Sequence, residues 1–197
     1  MPKRGRSSRD TLTGGSGDVN PQSLVLSHVT ETAPDTFTSQ TLALPIPRLP
    51  IQKGRALVME IQRVWFMFVN SGYVSNTTTN ITAALTTNPG ANDNNSVQNG
   101  NGLGLFQDPR TICQATRLFV ALATGGGAGI AFEYNDAIRE VDLTDDAGHG
   151  FLVATDNLFL CCSSVGTASN STVACRFTYR FKDVALEEYI GIVQSQQ

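Results

Sequence analysis

The sequence is short of charged residues and of histidine. Charged side chains make up 16% of its 197 residues, below the ~25% typical of soluble chains, and the only histidines are His28 and His149. A surface with little charge is poorly protected against association, because charge repulsion keeps many proteins monomeric. Two histidines without a supporting motif give no indication of a nucleophilic triad. We therefore expect no enzyme activity and no catalytic residue.

Paired cysteines and long apolar runs are also missing. Cys113, Cys161, Cys162 and Cys175 form no C-x-x-C pair and have too few histidines to complete a zinc site, so we expect buried free thiols, no metal and no cofactor. The longest apolar run, Val64–Val69, is far shorter than the ~20 residues of a transmembrane helix, and we expect no membrane insertion. The basic start leads into no apolar stretch, so we expect no secretory signal and synthesis in a reducing compartment.

Positive charge is concentrated at the start of the chain. Residues 1–10 carry four basic residues against one acid, a net charge of +3, while the remainder carries ten basic and sixteen acidic residues, a net charge of −6. The candidate nucleic-acid-binding residues are Lys3, Arg4, Arg6 and Arg9. Their side chains can pair with phosphates without base contacts, which predicts sequence-independent binding. A solvated tail that serves only solubility or nuclear import is the alternative.

Almost nothing apolar occurs in residues 1–20, so we expect a disordered arm there and an ordered domain over residues 21–197. The domain is a series of short β-type runs separated by turn residues. About nine runs are present, at Ser23–Thr30, Phe37–Leu44, Gly54–Asn70, Asn76–Thr87, Ile112–Ala123, Ile130–Tyr134, Ile138–Leu143, Gly150–Cys162 and Thr172–Phe181. Without a convincing amphipathic helix, this spacing predicts an all-β sandwich or barrel.

The longest run, Gly54–Asn70, alternates with a period of two and predicts that Leu57, Met59 and Ile61 face inward. Towards its end both faces become apolar, which predicts that the core or a neighbouring subunit covers each of them. The tail, Val184–Val193, is apolar enough to be a last strand or a segment packed on a neighbour.

Two loops are candidates for a functional role. Residues 88–108 are dominated by Asn and Gly, and a loop of that length is usually functional or surface-binding. A second loop holds Asp142, Asp145, Asp146 and His149. Asp and Gly are turn residues for backbone reasons alone, so we interpret it as a solvated turn, with a bound divalent cation as the alternative.

The order of basic arm, Gly/Ser linker and strands with long loops resembles the coat proteins of small icosahedral viruses with a single jelly roll. Three segments, Lys53–Ile61, Gly148–Asn157 and Val184–Gln197, look like coat-protein segments of small circular single-stranded DNA viruses. The resemblance implies an eight-stranded antiparallel jelly roll and a shell of sixty copies (T=1) or a small multiple. It also implies a virion protein, made in the host cytoplasm with or without nuclear import, whose arms bind a single-stranded genome and whose outer loops are available to a host receptor.

Two other classes of protein remain open. An all-β carbohydrate-binding or adhesion module would use the loop at residues 88–108 and would be a monomer or small oligomer. A hydrolase built on a jelly roll would require His149 and the nearby aspartates to line a pocket.

Overall fold

A computed structural model describes residues 22–25, 28–44, 54–69, 77–88, 110–123, 129–133 and 138–196. In chain order the strands are β1 (Gln22–Val25), β2 (Val29–Thr30), β3 (Phe37–Ala43), β4 (Arg55–Val69), β5 (Thr77–Thr86), β6 (Thr111–Ala123), β7 (Gly129–Glu133), β8 (Ile138–Asp142), β9 (Phe151–Val153), β10 (Asn157–Val165) and β11 (Thr172–Ala185), followed by the helix α1 (Leu186–Gln196). The strands form two antiparallel sheets packed as a sandwich, so the predicted all-β sandwich is confirmed.

The pairing of strands is nested, with the first described strands paired to the last strand. β1 and β2 pair with β11, β3 with β10, β4 with β8 and β9, and β5 with β6. β1 with β2, and β8 with β9, each fill one strand position, and β7 adds a further strand beside β6. Apart from β7, the strands fill the eight strand positions of a jelly roll, four in each sheet. The predicted fold class is therefore confirmed.

A β-bulge in β4 decides which side chains enter the core. Thr178 of β11 lies opposite Arg63 and Tyr179 lies opposite Ile61, so Gln62 has no partner residue in that ladder. The extra residue reverses the alternation. Met59 and Ile61 before the bulge face the core, as predicted, and so do Val64, Phe66 and Phe68 after it, all at most 2% exposed. Leu57, predicted to face inward with them, is only partly buried and is not among the core residues.

The same bulge bears on the prediction that both faces are covered at the end of β4. Both series of side chains are apolar there because one enters the core and the other, Trp65, Met67 and Val69, faces outward. Met67 and Val69 are 44% and 49% exposed, so within the described part of this single chain only one face is covered. Cover of the other face by a neighbouring subunit stays a prediction.

Two further predictions are wrong. The run Gly150–Cys162 is not one strand: β9 lies in the first sheet and β10 in the second, because the chain crosses between sheets at Ala154–Asp156. From Leu186 onward the tail is not a last strand, while its contact with a neighbouring copy stays a prediction. This part of the tail forms α1, which packs on the first sheet of the same chain. Within the described ranges, no helix combines the length and the apolar character that crossing a bilayer requires.

All four cysteines are buried free thiols, as predicted. Burial raises the pKa of Cys113 and of Cys161 to about 12. At neutral pH these two sulfurs are therefore protonated and act as small apolar side chains of the core.

A buried ion pair lies on the outward face of the first sheet next to the bulge. Glu60 is fully buried and binds Arg180, its cross-strand partner, through both carboxylate oxygens. The Gly150 amide donates to the same carboxylate at 2.7 Å. Burial by itself would raise the pKa of Glu60, but the hydrogen bonds from Arg180 and Gly150, with the charges of Arg180 and Lys182, lower it below its ordinary value. A Cβ at Gly150 would lie 2.1 Å from the Ile61 carbonyl oxygen, so this close approach requires glycine.

The substitution Arg180→Met keeps much of the aliphatic side chain but leaves the Glu60 carboxylate buried without its counter-charge. We expect a loss of about 3 kcal/mol in the free energy of unfolding at pH 7. In the parent protein the depressed pKa of Glu60 gives stability that is present above the unfolded-state value and is lost as pH falls through the folded-state value. The cost of the substitution should therefore shrink near pH 4, as measured by urea denaturation at both pH values.

Arg63→Met is the matched control on the same sheet face. Arg63 is 52% exposed and contacts Glu140 and Asp142 at 3.6 and 3.5 Å. Exposed pairs of this kind contribute less than about 1 kcal/mol. Equal losses for the two variants, or a loss at Arg180 that is the same at both pH values, would contradict the account of the buried pair.

Candidate functional site

The residues predicted to bind nucleic acid, Lys3, Arg4, Arg6 and Arg9, lie outside the described residues, as does the loop from residue 89 to residue 108. Their roles stay predictions. The candidate site is therefore a surface that the described strands and the helix form.

The acidic loop after β8 has the hydrogen bonds of a compact turn. Asp145 accepts from the amides of Ala147 and His149 at 3.0 and 2.7 Å, and its other carboxylate oxygen lies 3.1 Å from His149 Nδ1. Asp142 accepts from the amide and the hydroxyl of Thr144. The hydrogen bond from the His149 amide lowers the pKa of Asp145.

These contacts support the interpretation as a turn. The loop is exposed, and His149 points its ring at Asp145 on the surface. No group of three or more potential metal ligands occurs within the described ranges.

A buried polar cluster at one end of the sandwich was not predicted from the sequence. Glu31, only 2% exposed, accepts from the Ser164 hydroxyl at 2.8 Å and from the Ser171 amide at 2.9 Å. Asp35 accepts from the amide and hydroxyl of Thr167 at 2.9 and 3.0 Å. Burial raises the pKa of Glu31, and the hydrogen bonds from Ser171 and Ser164 oppose that rise. The cluster joins the segment between β2 and β3 to the segment between β10 and β11, so its role is to close this end of the fold.

The outward face of the first sheet is divided into two halves. In the half that we term the covered half, α1 lies over Ala56, Val58 and Val184 and packs against them with Tyr189 and Ile192. Burial of these apolar side chains stabilises the attachment of the helix. The pair Glu60 and Arg180 marks the limit of this half.

Gln196, at the end of α1, fixes the helix to both sheets. Its side-chain amide donates to the Leu152 carbonyl and accepts from the Ala154 amide at 3.1 Å, so it pairs with the edge of β9 as a strand residue would. Its own carbonyl accepts from the Thr87 hydroxyl at 3.1 Å, beyond the end of β5. At the start of the helix, the Leu186 amide donates to the Gly54 carbonyl at 2.8 Å.

The other half of this face, which we term the open half, has no helix over it among the described residues. Two cross-strand rows lie side by side here: Ala174, Met67 and Ile138 form one, and Arg176, Trp65 and Glu140 form the other. Between them is a groove of about 430 Å³, lined by Trp65, Met67, Ile138, Ala174, Cys175 and Arg176.

The groove has an apolar floor and one positive charge. Met67 is 44% exposed and Ile138 is 57% exposed, which is unusual for adjacent large apolar side chains. The Arg176 guanidinium lies 5.2 Å from the centre of the Trp65 ring, within range of a cation–π interaction. The geometry suits contact with a partner that presents an apolar side chain next to negative charge.

Comparison with known proteins indicates relatives by fold and not by sequence. No protein-family profile matches the sequence, and no curated protein sequence is similar to it. VP1 of the Trichodysplasia spinulosa-associated polyomavirus, solved with GM1 oligosaccharide, is similar with a TM-score of 0.51 and 11% identity, over 86% of this chain and 96% of that chain. The Merkel Cell Polyomavirus virus-like particle gives a TM-score of 0.50 and 9% identity, over 94% of this chain and 81% of that chain. At these identities the likeness shows a shared fold.

Proposed function

We propose that this chain is a viral coat protein that assembles with copies of itself into a closed shell and performs no catalysis. The observation that carries the proposal is the open half of the first sheet, an apolar surface on a jelly roll that its own helix leaves uncovered. A protein chain of the same fold forms part of the Merkel Cell Polyomavirus virus-like particle, which supports the proposal. The low content of charged residues also favours association between copies, because charge repulsion between them is weak.

The finer features of the proposal rest on the sequence. They are a shell of sixty copies or a small multiple, a single-stranded genome, and the arm residues Lys3, Arg4, Arg6 and Arg9 as its contacts. The two similar structures come from polyomaviruses and not from the virus group that the sequence resembles, so they do not support the single-stranded genome. Sixty arms would carry about 240 positive charges, fewer than the phosphates of a genome of ~1,000 nucleotides, so other cations must contribute.

The carbohydrate-binding alternative depends on the loop at residues 88–108, nearly all of which lies outside the described residues, and a host-receptor site would use the surface loops. The solved complex with GM1 oligosaccharide concerns another protein with 11% identity. Receptor binding by this chain therefore remains part of the proposal only through its loops.

The full chain, purified at neutral pH and moderate salt, should form uniform spherical particles that contain nuclease-protected nucleic acid. Negative-stain electron microscopy, sedimentation velocity and the 260/280 absorbance ratio check this together. A monomer free of nucleic acid under these conditions would contradict the proposal and would favour the carbohydrate-binding alternative.

Deletion of residues 1–10 removes a net charge of +3 per copy and no described strand or helix. Shells should still form, because the proposed contacts between copies lie on the sandwich, but they should contain less nucleic acid. The absorbance ratio of purified particles measures this change. Particles of the shortened chain with an undiminished nucleic-acid content would show that the arm is a solvated tail.

A further inference from the structure

Exposed large apolar side chains occur in two places on the described surface. Met67, Val69 and Ile138 lie in or beside the groove of the open half, and Ile190 lies on the outward side of α1 at 47% exposure. The inward side of α1 is occupied by its packing on the covered half through Tyr189 and Ile192. Ile190 therefore lies exposed on the part of α1 that does not pack on its own sheet.

The charges next to the two apolar places are opposite in sign. Arg176 at the groove stacks on Trp65 and has no carboxylate partner among the described residues. Glu187 lies exposed in the first turn of α1 on the same side as Ile190, and within the described ranges it forms no ion pair. An ion pair between copies would give Arg176 and Glu187 a partner each, and electrostatic complementarity of this kind fixes orientation and selects partners.

The shape of α1 permits close contact. Gly191, beside Ile190, has no atom within 4 Å of the position that a Cβ would take. A partner can therefore approach the helix backbone closely there. The helix has 11 residues and is therefore about 16 Å long.

The helix cannot reach the groove of its own chain. Along β4, the covered half at Val58 and the groove at Trp65 are separated by roughly 20 Å at the rise of a β-strand. The bonds of Gln196 and Leu186 hold the helix on the covered half. Among the described elements, α1 can therefore occupy the groove of a second copy but not that of its own chain.

We propose that the outward side of α1 in one copy packs into the groove of the next, with Ile190 on Met67 and Ile138, and with Glu187, which lies three residues before Ile190 on the same side of the helix, next to Arg176. The inference rests on the proposed function and names the partner surfaces within it. The contact joins two different surfaces and is therefore heterologous, the kind of contact that generates a ring when the rotation relating the copies closes.

Charge exchange tests the contact in the full chain. Arg176→Glu alone, and Glu187→Arg alone, should each reduce the fraction of protein in particles by at least about tenfold at fixed concentration, because a like-charge contact replaces an attractive one. The double variant that combines both changes should restore particles. Asp146→Arg reverses an exposed charge away from both surfaces and should assemble like the parent. Thermal unfolding of each variant checks that the fold is retained.

A second pair of variants tests the apolar part. Ile190→Ser should reduce the particle fraction as Met67→Ser does, since the two side chains meet in the proposed contact. Sedimentation velocity and electron microscopy measure all variants. Folded single variants that form particles like the parent would overturn the contact, as would a double charge-exchange variant that does not recover or a loss in Asp146→Arg equal to that in Arg176→Glu.

Recovery of Arg176→Glu by Glu140→Arg instead would overturn this contact in favour of a symmetric one between two grooves. A parent chain that is monomeric throughout would overturn the proposed function and the contact together. Parent particles with unaffected variants would overturn the contact alone.

Discussion

β4 and β11 pair along almost their full lengths, from Val69 opposite Thr172 to Arg55 opposite Ala185, and the other parts of the molecule take their positions from this ladder. β1 and β2 add to one side of it, and β8 and β9 add to the other. The single extra residue in β4, Gln62, sets the register of side chains on both sides of the sheet. Had the alternation continued without it, Val64, Phe66 and Phe68 would face outward, and one face would lose the aromatic core of the sandwich.

The ladder also explains why the outward face has two unlike halves. The helix α1 follows β11 directly, so it can only fold back over the end of the ladder where β11 finishes. That end carries Ala56, Val58 and Val184, which α1 covers. The far end carries Trp65 and Met67, beyond the reach of the helix, and the buried pair of Glu60 and Arg180 lies between the two. An exposed apolar surface of this kind is typical of a contact between protein chains, and we assign it to a contact between copies.

The sequence predicted the sandwich because its strands alternate strongly and its turns are rich in Gly, Asn and Asp. It could not predict the bulge at Gln62, since an extra residue leaves no compositional mark and only the pairing with Thr178 and Tyr179 reveals it. Short apolar segments fit a strand or a helix equally well, and for Leu186–Gln196 the packing against Ala56 and Val58 decides the outcome. Glu31 and Ser164 are 133 residues apart, so their hydrogen bond is a product of the nested topology. The groove likewise joins residues of β4, β8 and β11, although the apolar excess at the end of β4 already indicated a covered surface.

The central claim is that the open half of the first sheet is buried between copies in the assembled protein. Methionine oxidation tests this directly, because the chain has three methionines, of which Met59 is 0% exposed and Met67 is 44% exposed. Peroxide oxidation followed by mass spectrometry, on particles and on subunits dissociated from them, gives the rate at each site. The account predicts that Met67 oxidises severalfold more slowly in particles than in subunits, while Met59 is slow in both. Equal rates at Met67 in the two states would contradict it.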